Sequence, residues 1–159
     1  MLVVTRNWWP GLAKPIHLKV FGANKTWRGV IVMTFATVPG VYVTILLEPL
    51  LGEAPLASIA VINAWILGTA LGLAYVLAEL PNSYLKRRLQ IAPGERAPKY
   101  SFLFSLLDQA DSAIGCALVY WLLIRTPWAV LFWMILIGPS IHLAANLFLY
   151  GIGLRKHPV

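Results

Sequence analysis

Residues 29–47 read GVIVMTFATVPGVYVTILL, a run without a single charged side chain. An α-helix needs about 20 apolar residues to cross the hydrocarbon core of a bilayer. The run is entered through FGANKTWRG (residues 21–29) and closed by Glu48-Pro49, so polar groups sit at both ends. That is the pattern of a membrane span, and it recurs along the chain. A second stretch runs from about Leu56 to Leu80, where Pro81 is expected to end the helix. A third begins near Ser101, although its uncharged part is only about Ser112 to Ile124. A fourth runs from about Trp128 to Tyr150, and Pro139 is expected to kink it. No soluble domain and no repeat is evident. The expected fold class is all-α: a polytopic integral-membrane helical bundle of about four transmembrane helices, read as a single integral-membrane domain over residues 1–159.

Composition agrees. Of 159 residues, 59% are hydrophobic and 12% charged, and the mean hydropathy is +0.74. A soluble domain of this size cannot bury so much apolar surface, so lipid is the expected solvent. Seven Trp and six Tyr suit the headgroup layer. The net charge of +7 would suggest nucleic acid in a soluble protein. Here an anionic membrane surface and anionic small ligands explain it, and no nucleic acid is expected. The lone Cys116 excludes an intrachain disulfide and a Cys-based zinc cluster, and packing is its expected role. The first residues, MLVVTRNWWPGLAKP, do not read as a signal peptide, because Pro10 and Pro15 break short apolar runs.

The basic residues set the expected topology. Arg6, Lys14, Lys19, Lys25 and Arg28 precede the first span. Lys86, Arg87, Arg88, Arg96 and Lys99 lie between the second and third, and Arg155 and Lys156 follow the fourth. The opposite loops hold Arg125, with Glu48 and Glu53. The reading is a multi-pass protein of the cell membrane with both termini cytoplasmic and the polar site facing the cytoplasm.

Three segments carry candidate chemistry. In LLDQADS (residues 106–112), Asp108 and Asp111 are three residues apart and share a helix face. A carboxylate at membrane depth costs roughly 2.5–3.5 kcal/mol, so an uncompensated pair is improbable. Two like charges at this spacing call for a cation between them. Mg²⁺, a hard cation held by carboxylates and completed by phosphate oxygens and water, is the natural candidate. Salt bridges to Arg28 or Lys86, or a helix that simply starts in water, are the plainer explanations. In FGANKTWRG, Gly22 and Asn24 favour a turn before a helix start, and Lys25, Thr26 and Arg28 would suit a phosphate there. An ordinary positively charged flank is the plainer reading. In PNSYLKRRLQIAPG (residues 81–94), Asn82 or Ser83 is expected to cap a short helix that rests Tyr84, Leu85 and Leu89 on the bilayer. Pro93-Gly94 is expected to end it. Lys86 and Arg87 then read as an anchor to anionic lipid or as a clamp for polyphosphate.

Two further features are expected to be structural. His142 and Asn146 stand one turn apart in the fourth span and suit a hydrogen bond between helices. Ala64, Gly68 and Gly72 form a stripe of small residues that permits close packing. That packing can join helices of one chain or of two, so a homo-oligomer is one possible outcome.

Together, cations and a carboxylate pair at one membrane face describe a polyphosphate site, and phosphoryl or nucleotidyl transfer is the chemistry that needs little else. No Ser-His-Asp set or nucleophilic Cys is visible, which argues against a covalent acyl mechanism. Two other classes remain. A catalytically silent protein that binds anionic lipid or scaffolds a partner would tolerate Asn at both aspartate positions. A small transporter would place its polar residues near the bilayer midplane.

At these residues the chain resembles the CDP-archaeol synthase family, a branch of the membrane-bound phosphatidate cytidylyltransferase group. The matching pieces are NKTWRG (residues 24–29), PNSYLKRRLQIAPG, LLDQADS and the ending HLAANLFLYGIGLRKHPV (residues 142–159). The wider signature, Ser-x-x-Lys-Arg followed later by Asp-x-x-Asp, is met by Ser83, Lys86, Arg87, Asp108 and Asp111. Archaeal members generally begin with a further membrane helix carrying an Ala-Asn motif, which is not found before Lys25. The resemblance implies transfer of CMP from CTP to a lipid phosphate such as digeranylgeranylglyceryl phosphate, with pyrophosphate as the other product and Mg²⁺ required. It implies that Asp108 and Asp111 bind the metal and act catalytically with Lys86. Lys25, Thr26, Arg28, Ser83 and Arg87 would then bind substrate.

Overall fold

A computed structural model of the chain describes residues 9–52, 58–93, 95 and 101–154. A four-residue helix, α1 (Leu18–Phe21), precedes four long ones: α2 (Trp27–Leu47), α3 (Ala64–Arg88), α4 (Ser101–Ile124) and α5 (Trp128–Gly151). Each long helix contains a stretch long and apolar enough to cross a membrane. The protein is thus a polytopic helical membrane protein. No strand occurs among the described residues, only an isolated antiparallel bridge between Pro15 and Thr26.

The long helices pack in chain order, α2 on α3, α3 on α4 and α4 on α5, and α1 lies against α3. Small residues set the spacing. A Cβ on Gly68 would lie 2.6 Å from Val38 Cα, and one on Gly72 would lie 2.5 Å from the Met33 carbonyl oxygen. Thr37 donates its hydroxyl to the Gly68 carbonyl at 2.5 Å. The small-residue stripe therefore serves a contact within the chain, α2 against α3. Around it Val41, Ile59, Ala64, Leu67 and Leu71 form the buried core, with Cys116 packed against it from α4.

The second span departs from expectation at both ends. Residues 58–63 are not helical, and α3 starts only at Ala64, where the Asn63 side chain accepts from the Trp65 N–H at 2.8 Å. Glu48 accepts from the Ile59 N–H at 3.2 Å and fixes the loop before it. Leu56, the expected start, lies outside the described residues. At the other end the helix continues through Pro81 to Arg88. Asn82 and Ser83 therefore cap nothing and no separate short helix forms. An interior proline costs about 3 kcal/mol. Here the turns beyond it are pinned to α4 by Asn82 and Lys86. Gln90, in the left-handed region at φ 61°, ends the helix, with the Ile91 N–H donating to the Lys86 carbonyl at 2.9 Å. The end thus precedes Pro93, and Gly94 lies outside the described residues. α5 likewise runs unbroken through Pro139.

With 25 residues, α3 exceeds the about 20 that span a bilayer core. Tyr84, Leu85 and Leu89 are exposed at its C-terminal end.

Candidate active site

The polar site lies where the C-terminal end of α3 meets the N-terminal half of α4. Gly115 brings the two backbones together: a Cβ there would lie 2.6 Å from Ala78 Cβ and 2.7 Å from the Ala74 carbonyl oxygen. One turn earlier stands Asp111, and one turn before that Asp108. With the helices this close, the Asn82 amide of α3 reaches both. Its Nδ2 donates to Asp108 Oδ1 at 2.7 Å and lies 3.4 Å from Asp111 Oδ2. Asn82 is only 8% exposed. Asp111 Oδ1 also accepts from the Ser112 N–H at 2.6 Å. The two carboxylates predicted to share a face thus converge on one point.

Lys86, one turn beyond Asn82 on α3, forms an ion pair with Asp108 and lies 5.9 Å from the centre of the Phe104 ring. The plain salt-bridge expectation for this pair is met. Lys25 reaches the same layer from the turn before α2 and pairs with Glu79, one turn ahead of Asn82. Backbone bonds hold that turn in place: the Ile16 N–H donates to the Lys25 carbonyl at 2.8 Å, and the Trp27 N–H to the Lys14 carbonyl at 3.1 Å. Glu79 is close enough to Asp111 for the two carboxylates to interact, and Tyr75 lies near Glu79 and Ser112.

Two of the remaining predicted residues bond backbone through their hydroxyls. Thr26 caps α2 by accepting from the Gly29 N–H at 3.2 Å, and Ser83 donates to the Glu79 carbonyl at 3.0 Å. Both hydroxyls are engaged with backbone. Arg28 is buried in the first turn of α2. Arg87 packs beside Gly22, which takes φ 85°: a Cβ there would be in ordinary contact with Arg87 Cζ at 3.6 Å. Two guanidinium nitrogens of Arg87, Nε and Nη1, are buried without a hydrogen-bond partner among the described residues. Such donors carry a desolvation penalty of about 1–3 kcal/mol, more when charged, which an anion would remove.

Residues 17–159 match the family model described as CarS-like CDP-archaeol synthase. The chain belongs to the CDP-archaeol synthase family. This is a family of enzymes, CTP-dependent cytidylyltransferases. Among relatives named CDP-archaeol synthase, one from Methanococcoides burtonii is 30% identical over 88% of this chain and 82% of its own length. One from Staphylothermus marinus is 27% identical over 86% of this chain and 69% of its own. One from Thermofilum pendens is 35% identical over 55% of this chain and 40% of its own, so the match spans less than half of that protein. No solved structure matches the chain.

Within this family member, two site residues were missed by sequence reasoning. Glu79 is the one carboxylate of α3, a placement that marks a candidate functional position. Asn82 was read as a cap because Pro81 was expected to break the helix. With α3 continuous, Glu79, Asn82, Ser83 and Lys86 follow the i, i+3, i+4, i+7 spacing of one face. The Lys25–Glu79 pair is expected to tie the turn before α2 to α3. Lys25→Met and Glu79→Gln should each destabilise the protein, and the double variant should lose about 1 kcal/mol less than their sum, read by a double-mutant cycle in detergent.

Proposed function

We propose that this site transfers CMP from CTP to a membrane lipid phosphate, giving a CDP-activated lipid and pyrophosphate. The observation that carries the reading is the convergence of Asp108 and Asp111 on one point where the C-terminal end of α3 meets the N-terminal half of α4, flanked by Lys86. The donor set fits a hard divalent cation, since two carboxylates of one helix direct oxygens to the same spot. Asp108 and Asp111 would hold Mg²⁺ there, which when bound neutralises triphosphate charge and the leaving pyrophosphate.

The chain's own residues do the rest. Lys86 and Lys25 bring positive charge to the carboxylate layer and keep it near neutral when no substrate is bound. Arg87, with two buried donors unpaired among the described residues, and Arg28 at the start of α2 supply the fork geometry that phosphate oxygens accept. Thr26 and Ser83 shape the helix turns that carry Lys25, Arg28, Lys86 and Arg87. An oxygen of the lipid phosphate attacks the α-phosphorus of CTP, the bond from that phosphorus to the β-phosphate oxygen breaks, and pyrophosphate leaves. The work is positioning and charge neutralisation, with no covalent enzyme intermediate.

The lipid is digeranylgeranylglyceryl phosphate or a related isoprenoid or diacyl glycerol phosphate, and the site faces the cytoplasm, where the basic loops belong. Purified protein in micelles, given CTP, Mg²⁺ and ether-linked and ester-linked lipid phosphates in parallel, tests this. A CDP-lipid should form with at least one backbone, fastest with the natural tail chemistry. Binding of every anionic lipid with no product would instead favour a silent lipid-binding role.

A further inference from the structure

Asn82 holds a contradiction. Its side chain is buried deep between α3 and α4 at 8% exposure, with its Nδ2 turned to Asp108 and Asp111. Its carbonyl oxygen, Oδ1, is buried with no hydrogen-bond partner among the described residues. A buried unpaired acceptor costs about 1–3 kcal/mol. Oxygen and nitrogen of an amide are alike in size, so the opposite amide orientation needs no extra room. That orientation turns three oxygens toward one another, which is stable only with a cation among them.

The spacing suits such a cation. Metal–oxygen bonds of about 2.0–2.1 Å in an octahedron place neighbouring ligand oxygens about 2.9 Å apart. The Asn82 amide atom facing the carboxylates lies 2.7 Å from Asp108 Oδ1 and 3.4 Å from Asp111 Oδ2. Among the described residues no third His, Cys, Asp or Glu joins these aspartates in a group that could hold a metal. Asn82 supplies a neutral oxygen donor in this layer.

We infer that Asn82 is the third protein ligand of a divalent cation held with Asp108 and Asp111, its amide turning Oδ1 inward when the metal binds. This rests on the metal-dependent reading above and deepens it. A three-oxygen set from two helices also makes the metal a clasp between α3 and α4, and Lys86 must then release Asp108.

Mn²⁺ binding to the purified full chain in micelles, without nucleotide or lipid, tests this by the electron paramagnetic resonance signal of the free ion. Asn82→Leu removes the oxygen and Asn82→Asp keeps one. The leucine variant should bind Mn²⁺ at least about tenfold more weakly than wild type, and the aspartate variant as tightly or more so. Leucine-variant affinity within about twofold of wild type would overturn the assignment while leaving the metal reading intact. So would weakened binding in Asn82→Asp, because an amide that only donates to the carboxylates is replaced there by a third repelling charge. If the leucine variant does not fold, the aspartate variant decides by the same comparison. No Mn²⁺ binding by wild type would overturn both the inference and the metal-dependent reading.

Discussion

Asp111→Asn is expected to lower the turnover of nucleotidyl transfer by roughly 10³-fold, the scale on which loss of a main charge-stabilising group slows such chemistry. Asp108→Asn is expected to act similarly. Asparagine has nearly the same shape as aspartate and can still accept from the Ser112 N–H, so the helix contact survives. It also removes a carboxylate from the membrane-spanning part of α4, which costs roughly 2.5–3.5 kcal/mol to place there. The folded protein should therefore lose activity without losing stability. Labelled-lipid formation and thermal unfolding in the same micelles separate the two. Full activity with a lowered melting temperature would make the carboxylate structural instead.

The second large effect concerns packing. Gly72→Ala is expected to destabilise the protein by about 1–3 kcal/mol or more. The new methyl carbon would lie 2.5 Å from the Met33 carbonyl oxygen and 2.6 Å from Thr34 Cα. Both are backbone atoms of α2, so no side chain can rotate out of the way and the helices must separate. Gly68→Ala meets Val38 Cα at 2.6 Å and should behave alike. Gly40→Ala is the control: among the described residues nothing lies within 4 Å of its Cβ position, and substitution of a helical glycine there should be neutral or stabilising. Separation of α2 from α3 also displaces Lys25 from Glu79, so activity should fall with stability. Unfolding in mixed micelles reads the first effect and transfer assays the second.

The spans of α2 and α5 were legible because long uncharged runs have few alternatives in a bilayer, whereas the uncharged part of α4 is only about Ser112 to Ile124. The aspartate pair was legible for the complementary reason, since two carboxylates on one face of a membrane helix demand compensation. α3 was misplaced toward the N-terminus because local rules governed the reading: an apolar run from Leu56, then a proline. The structure answers with two tertiary contacts that no local rule contains. Glu48 fixes the loop before Asn63, and the pairing of Asn82 and Lys86 with α4 carries the helix past Pro81. The same displacement concealed Glu79 and Asn82. Their shared face with Lys86 exists only if the helix is continuous. The engagement of the Thr26 and Ser83 hydroxyls with backbone was likewise invisible, because a hydroxyl near a helix end suits a cap and a phosphate equally well.

The most direct test of the central claim, nucleotidyl transfer at the α3–α4 site, is to follow the label of CTP into lipid. CTP labelled at the α-phosphate or at the γ-phosphate would be supplied in parallel with a lipid phosphate and Mg²⁺. The account predicts that α-label enters the lipid fraction, that γ-label leaves as pyrophosphate, and that Asp111→Asn abolishes both. Label of either kind remaining in CTP, with folded wild-type protein and every lipid backbone tried, would contradict it.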